Sequence, residues 1–187
     1  MYLIEYFTHL LPFIPALIIV RILTTFLRRQ FKKNTTLWHE AGVVALWLYI
    51  AAVCSVTVNI SGILNGYFRI SSEYNLTPLA GIIQMAQSTS SGYAALNILG
   101  NIVMFMPLGF LLSLLWSKWR MPHIVIAALL CSVSIEVMQF FTGRGADIDD
   151  VILNTLGGIT GTFVSWILQR IFPRAANAFL VSKGTHY

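Results

Sequence analysis

Residues 122–170 read PHIVIAALLCSVSIEVMQFF, TGRGADIDD, VILNTLGGITGTFVSWILQR. Two apolar segments of twenty residues flank a nine-residue turn that carries Arg144, Asp147, Asp149 and Asp150. A helix needs about 20 mostly apolar residues to cross hydrocarbon about 30 Å thick, where no water is present to satisfy the backbone. Each segment meets that length. The stretch predicts two antiparallel transmembrane helices, over about Pro122–Phe141 and Val151–Arg170, joined by a polar turn.

The same test applied outward finds three more stretches, at about Leu10–Leu27, Ala41–Ile60 and Ala94–Ser117. The expected fold class is therefore all-α, a polytopic membrane helical bundle with five transmembrane helices. Composition agrees. The 187 residues are 57% hydrophobic and 10% charged, with a mean hydropathy of +0.74, against about 45–50% apolar and about 25% charged in soluble domains. No internal repeat, low-complexity tract or linker divides the chain, so residues 1–187 read as one domain. Glu5 and the lack of an early Lys or Arg argue against a cleavable signal peptide, so the first stretch is expected to be retained. Cys54 and Cys131 both lie in apolar runs and read as buried thiols.

The net charge of +5 is explained by where the basic residues fall. Arg28, Arg29, Lys32, Lys33, Lys118, Arg120, Arg170, Arg174 and Lys183 fall on one side of the predicted bundle; Arg69 and Arg144 fall on the other. The positive-inside tendency then places the amino terminus outside and the carboxyl terminus in the cytoplasm. Nucleic acid is not an expected partner; the lipid bilayer is, with Trp38, Tyr93, Trp116 and Trp119 as an interfacial belt. Arg21, inside the first stretch, either snorkels toward the cytoplasm or pairs within the bundle. The long external loop, about 61–93, has room at about 79–90 for a short surface or re-entrant helix, or it is an ordinary solvated loop.

Polar residues inside spans are costly and so draw functional attention. Four of the seven acids fall between Glu136 and Asp150. At 1.5 Å rise per residue, Asn101 lies roughly 10 Å, Glu136 roughly 7 Å and Asn154 roughly 5 Å below the outer boundary. Asn97 and Asn101 share one helix face, as do Ser132, Glu136 and Gln139, and as do Asp150, Asn154, Gly157 and Gly161. These stripes are expected to converge on a pocket open to the outside. The competing structural explanation is that the Asn side chains only bridge neighbouring helices. Asp147 also fits a helix N-cap, and acids in a first turn suit the helix dipole. Gly157-x-x-x-Gly161 fits close helix packing, and Pro107 with Gly109 predicts a kink that widens the vestibule. The expected binding residues are Asn97, Asn101, Gln139, Arg144, Asp149, Asn154 and Gly157. No metal site or cofactor is expected: the acids fail the EF-hand pattern, and His9, His39, His123 and His186 share no ligand spacing.

Three blocks resemble the VanZ-like family of bacterial membrane proteins. Asn97-Ile-Leu-Gly-Asn101-Ile-Val-Met-Phe105-Met-Pro107-Leu-Gly109 is similar to its Asn-x-x-x-Asn…Pro-x-Gly helix. Glu136-x-x-Gln139 followed by Arg144-x-x-Asp147-x-Asp149-Asp150-x-x-x-Asn154-x-x-Gly157 resembles its most specific block. Asn75-Leu-Thr-Pro78-Leu79 is similar to its Asn-Leu-Ile-Pro-Phe loop, with Thr77 and Leu79 departing from it. The motif-bearing part spans about 75–161. The resemblance implies a cell-envelope protein of the bacterial cytoplasmic (inner) membrane with a role in antibiotic resistance, toward teicoplanin-type glycopeptides. It attaches no cofactor or reaction.

Two functions fit these residues. One is binding of an amphiphile, an envelope lipid or lipidated glycopeptide, with its head in the polar layer and its tails on the apolar flanks. The other is a membrane enzyme acting on an envelope lipid head group. There Glu136, Asp147 and Asp150 would be the catalytic carboxylates, working by acid/base or metal-assisted chemistry, with Arg144 stabilising an oxyanion. The cluster contains no His or Cys to make a nucleophile–base pair. A transporter would put its polar site near the midplane and often show internal symmetry, neither of which is seen.

Overall fold

The computed structural model describes residues 36–58, 62–63, 65–88, 91–116 and 118–180, together with positions 18, 22 and 25. The first predicted span and Arg21 lie outside the described residues. Four helices there are long and apolar enough to cross a membrane: α1 (Leu37–Thr57), α3 (Ser91–Leu115), α4 (Met121–Phe141) and α5 (Ile148–Ile171). The shorter helices are α2 (Ala80–Ser88) and α6 (Pro173–Ala178). The structure is not purely helical. Tyr74–Asn75 (β1) pairs in parallel with Ala146–Asp147 (β2), and an isolated bridge joins Arg69 to Thr142.

Each long helix starts where the local chemistry allows. The Thr36 side chain caps α1 by accepting from the His39 N–H at 3.1 Å. Asp147 caps α5 by accepting from the Asp149 N–H at 2.8 Å, as its position before the first turn predicts. Pro122 occupies the first turn of α4, where a missing N–H costs nothing. Helix α3 runs through Pro107, which cannot donate to the preceding turn. The Tyr49 hydroxyl of α1 donates to the Met104 carbonyl at 2.6 Å, three residues before that proline. That bond ties α1 to α3 beside the interrupted turn; the carbonyl that Pro107 itself leaves without its helical donor is the preceding one, that of Val103.

Helix α5 is central and packs tightly against α3 and α4. Its inner face is small or polar: Gly157, Gly158, Gly161, Thr162 and Ser165 are all buried. A Cβ added at Gly161 would stand 1.9 Å from the Met106 carbonyl oxygen, and one at Gly109 would stand 1.8 Å from that of Gly158. The two backbones therefore meet without side chains between them. The apolar core joins α3 to α1 and α4, with Phe105, Leu108, Leu112 and Leu115 clustered with Val43 and Leu46 of α1 and Ile124 and Ala128 of α4. Large apolar side chains also cover the outside, among them Leu48, Leu96, Val103, Leu130 and Phe163. Water would not tolerate so much exposed apolar surface. This is a membrane protein.

Candidate functional site

At one end of the bundle the 140–147 turn carries the loop before α2 alongside it. Arg69 N–H donates to Phe141 O at 3.2 Å and Ser71 N–H to Phe140 O at 2.9 Å, and the β1–β2 pair joins the same two segments further along. The Asn75 amide, held there, donates to Asp147 Oδ1 at 2.9 Å and to Asp149 Oδ2 at 3.4 Å. Asp149 is 2% exposed and does the most structural work of the acids. Its carboxylate accepts the backbone N–H groups of Leu79, of Gly81 at 2.8 Å and of Ile82 at 3.2 Å. It closes the start of α2, one element capping another about seventy residues away in sequence. Leu79 has φ +66, a left-handed conformation unusual for Leu, and the bond from its N–H to Asp149 holds it there.

Gln139 and Arg144 close a different helix. Gln139 Nε2 donates to the Thr57 carbonyl at 3.0 Å and Arg144 Nη1 to the same oxygen at 2.8 Å, so both cover the last carbonyls of α1. Glu136 Oε2 accepts the Asp147 N–H at 2.8 Å. On the α3–α5 side, Asn101 Nδ2 donates to Asp150 Oδ1 at 2.6 Å and to Asn97 Oδ1 at 3.3 Å. One turn deeper, Asn154 Nδ2 donates to Ser132 Oγ at 2.8 Å, while Asn154 Oδ1 is buried without a hydrogen-bond partner.

Between these groups lies a cleft of about 390 Å³, lined by Glu136, Gln139, Arg144, Asp147 and Asp150, with Glu73, Tyr74 and Asn75 on its rim. An apolar groove of about 250 Å³ continues from it along α4 and α5, lined by Val133, Val137, Phe140 and Val151 among others. Glu136, Ala146 and Asp147 belong to both. Of the residues singled out in the sequence, Asn97, Asn101, Asp149, Asn154 and Gly157 do not line the cleft. Asn101 positions Asp150 from behind. Gly157 packs against α3, where a Cβ would stand 2.2 Å from the Ile102 carbonyl oxygen. Sequence reasoning missed the rim residues Glu73 and Tyr74, because only the β1–β2 pairing brings them over. Among the described residues, no group of three or more His, Cys, Asp or Glu has the geometry to hold a metal.

The VanZ/LLP1 family model matches residues 41–169. The chain belongs to that family. A relative, "Protein VanZ" of Enterococcus faecium, is 30% identical over 120 residues, covering 64% of this chain. The match spans 65% of the length of that relative. No solved structure matches the chain. The VanZ/LLP1 match takes in the whole cleft and, apart from the start of α1 and the end of α5, the four described long helices. It also takes in both polar blocks, from Asn97 to Gly109 and from Glu136 to Gly157.

Proposed function

We propose that this protein binds an amphiphile of the cell envelope, a lipid or a lipidated glycopeptide, at the outer face of the bacterial cytoplasmic membrane, and that this binding lowers susceptibility to teicoplanin-type glycopeptides. The observation that carries the reading is the junction at Glu136. A charged, polar cleft and an apolar groove meet at that one side chain, so a ligand lying across them would present a polar head to one and a chain to the other. The charge bias of the loops supports a chain that crosses five times, with its amino terminus outside, which would turn the cleft outward. Family membership and the relative's name support an envelope role.

The test is expression in a glycopeptide-susceptible bacterium, with teicoplanin susceptibility measured alongside the amount of protein in the membrane. Wild type should protect. Glu136→Gln, which blunts the head site, and Val137→Trp, which fills the groove, should each remove protection at equal membrane abundance. Full protection by both variants sinks the reading. The orientation has its own check. A cysteine placed at Glu73, with Cys54 and Cys131 replaced by Ser, should react with a membrane-impermeant maleimide on intact cells, and labelling only after lysis overturns it.

A further inference from the structure

The cleft's own chemistry narrows the head group, on the reading that an amphiphile occupies it. Its lining sets four carboxylates, Glu73, Glu136, Asp147 and Asp150, against one guanidinium, that of Arg144. Most of the side-chain donors that line it already have partners; the Tyr74 hydroxyl and the remaining nitrogens of Arg144 are the exceptions. Gln139 and Arg144 Nη1 are engaged by the end of α1, and the Asn75 amide by Asp147 and Asp149. Glu136 and Asp150 each have one oxygen accepting from within the protein and each still faces the cleft. Carboxylates accept and cannot donate, whereas a primary ammonium has three donors and no acceptor.

We propose that the cleft selects a head group carrying a primary ammonium, and that it does not use Arg144 to hold a phosphate or carboxylate. An anionic head would meet four like charges and one guanidinium already drawn to the carbonyls of α1. An ammonium between Glu136 and Asp150 meets two carboxylates that share a single nearby counter-charge, the Arg144 guanidinium already bonded to the end of α1, and Glu136 also borders the apolar groove, conditions under which charge-assisted hydrogen bonds are strong.

The experiment uses the full-length protein in detergent, offered an equimolar mixture of phosphatidylethanolamine, phosphatidylcholine and phosphatidylglycerol with identical acyl chains, and reads retained lipid by native mass spectrometry. Phosphatidylethanolamine should be retained roughly tenfold over phosphatidylglycerol, the worth of about one hydrogen bond to a charged group. Phosphatidylcholine, zwitterionic like phosphatidylethanolamine but with a quaternary ammonium that has no N–H donors, should fall between. Glu136→Gln and Asp150→Asn each keep the acceptor oxygen that holds its internal bond, and each should erase the preference. Arg144→Gln keeps a donor for α1 and should leave the preference intact or sharpen it. Excess free ethanolamine that displaces the lipid shows that the head alone is recognised; no displacement shows that the acyl chain is needed as well, and both outcomes support the ammonium. Preference for phosphatidylglycerol, loss of preference in Arg144→Gln, or retention that disappears with EDTA overturns the proposal in favour of an anion or a divalent cation while leaving an amphiphile in the cleft. Wild type that retains no lipid better than the Val137→Trp variant overturns the amphiphile reading itself.

Discussion

The two ends of the bundle solve one problem, closing helix termini, in opposite ways. At the aromatic end, Thr36 caps α1 and its hydroxyl donates to the Ala178 carbonyl after α6. His39, 1% exposed, bonds the Phe179 carbonyl through Nδ1 at 2.7 Å. A chain of rings, Trp38–Phe179, His39–Trp116, Trp116–Trp119 and Trp119–His123, seals that end with centroids 5.8–6.4 Å apart. The groups that meet there are rings, a hydroxyl and backbone carbonyls, and none of the acids of the cleft reaches it. At the other end Asp147, Asp149, Gln139 and Arg144 close the starts of α5 and α2 and the end of α1. Closing those termini leaves two further carboxylates, Glu136 and Asp150, facing an open cleft. The difference separates a polar layer that looks uniform in the sequence into members that hold the fold and members left available to a ligand.

The sharpest way to break this division is Asp149→Ala. It removes the acceptor for three backbone N–H groups and for the Asn75 amide from a site with no water to replace it. Hydrogen bonds to a buried charge are worth about 1.5–3 kcal/mol each, so the loss should exceed about 3 kcal/mol. Thermal unfolding of the detergent-solubilised protein should show the largest Tm drop of any single variant at this end, with α2 becoming protease-sensitive. A drop no larger than that of a surface substitution would mean that α2 is held by something else.

Next in size is Gly161→Ala, which tests whether the α3–α5 seam holds Asn101 against Asp150 at the edge of the cleft. Its new Cβ would collide with the backbone oxygen of Met106, which cannot rotate away as a side-chain end could. Overpacking of this kind costs about 1–3 kcal/mol. The Tm should fall accordingly, and Asn101 should lose its reach to Asp150. A stability equal to wild type would show that the helices can separate freely.

At the aromatic end, Thr36→Ala should cost about 1 kcal/mol, the usual worth of an N-cap, and should leave teicoplanin susceptibility unchanged. A change in susceptibility would break the comparison, because it would couple the sealed end to the open one.

Much of the scaffold was legible in the sequence. The spans expected at about 41–60, 94–117, 122–141 and 151–170 appear as Leu37–Thr57, Ser91–Leu115, Met121–Phe141 and Ile148–Ile171. They differ by a few residues because caps rather than hydropathy decide where a helix starts. Thr36 draws α1 upstream, and Asp147 starts α5 at Ile148. The helix expected at about 79–90 forms over Ala80–Ser88. The fifth crossing, the first stretch of the chain, lies outside the described residues. The β1–β2 pair, α6 and the work of Asp149 were not legible. Asp149 reads locally as a first-turn acid favourable to the α5 dipole, yet its partners are Leu79, Gly81 and Ile82, and no local spacing encodes so distant a contact. Asn97 and Asn101 show the same limit: helical spacing puts them on one face, but only packing shows that the face meets Asp150.

The smallest expected effect on stability belongs to the most informative variant, Glu136→Gln. A glutamine oxygen can still accept from the Asp147 N–H, the one hydrogen bond of the Glu136 side chain among the described residues, and the side-chain volume is preserved. Its stability should therefore stay within about 0.5 kcal/mol of wild type, the range of substitutions that disturb no packed feature. A carboxylate retained in a desolvated layer without being needed for folding is costly, and the function proposed above is what would justify that cost. Should Glu136→Gln unfold the protein as Asp149→Ala does, Glu136 would belong with the acids that close helix ends. The cleft would then keep only Asp150 and the rim residue Glu73 as carboxylates free of that work, and only Asp150 of these on a long helix of the bundle.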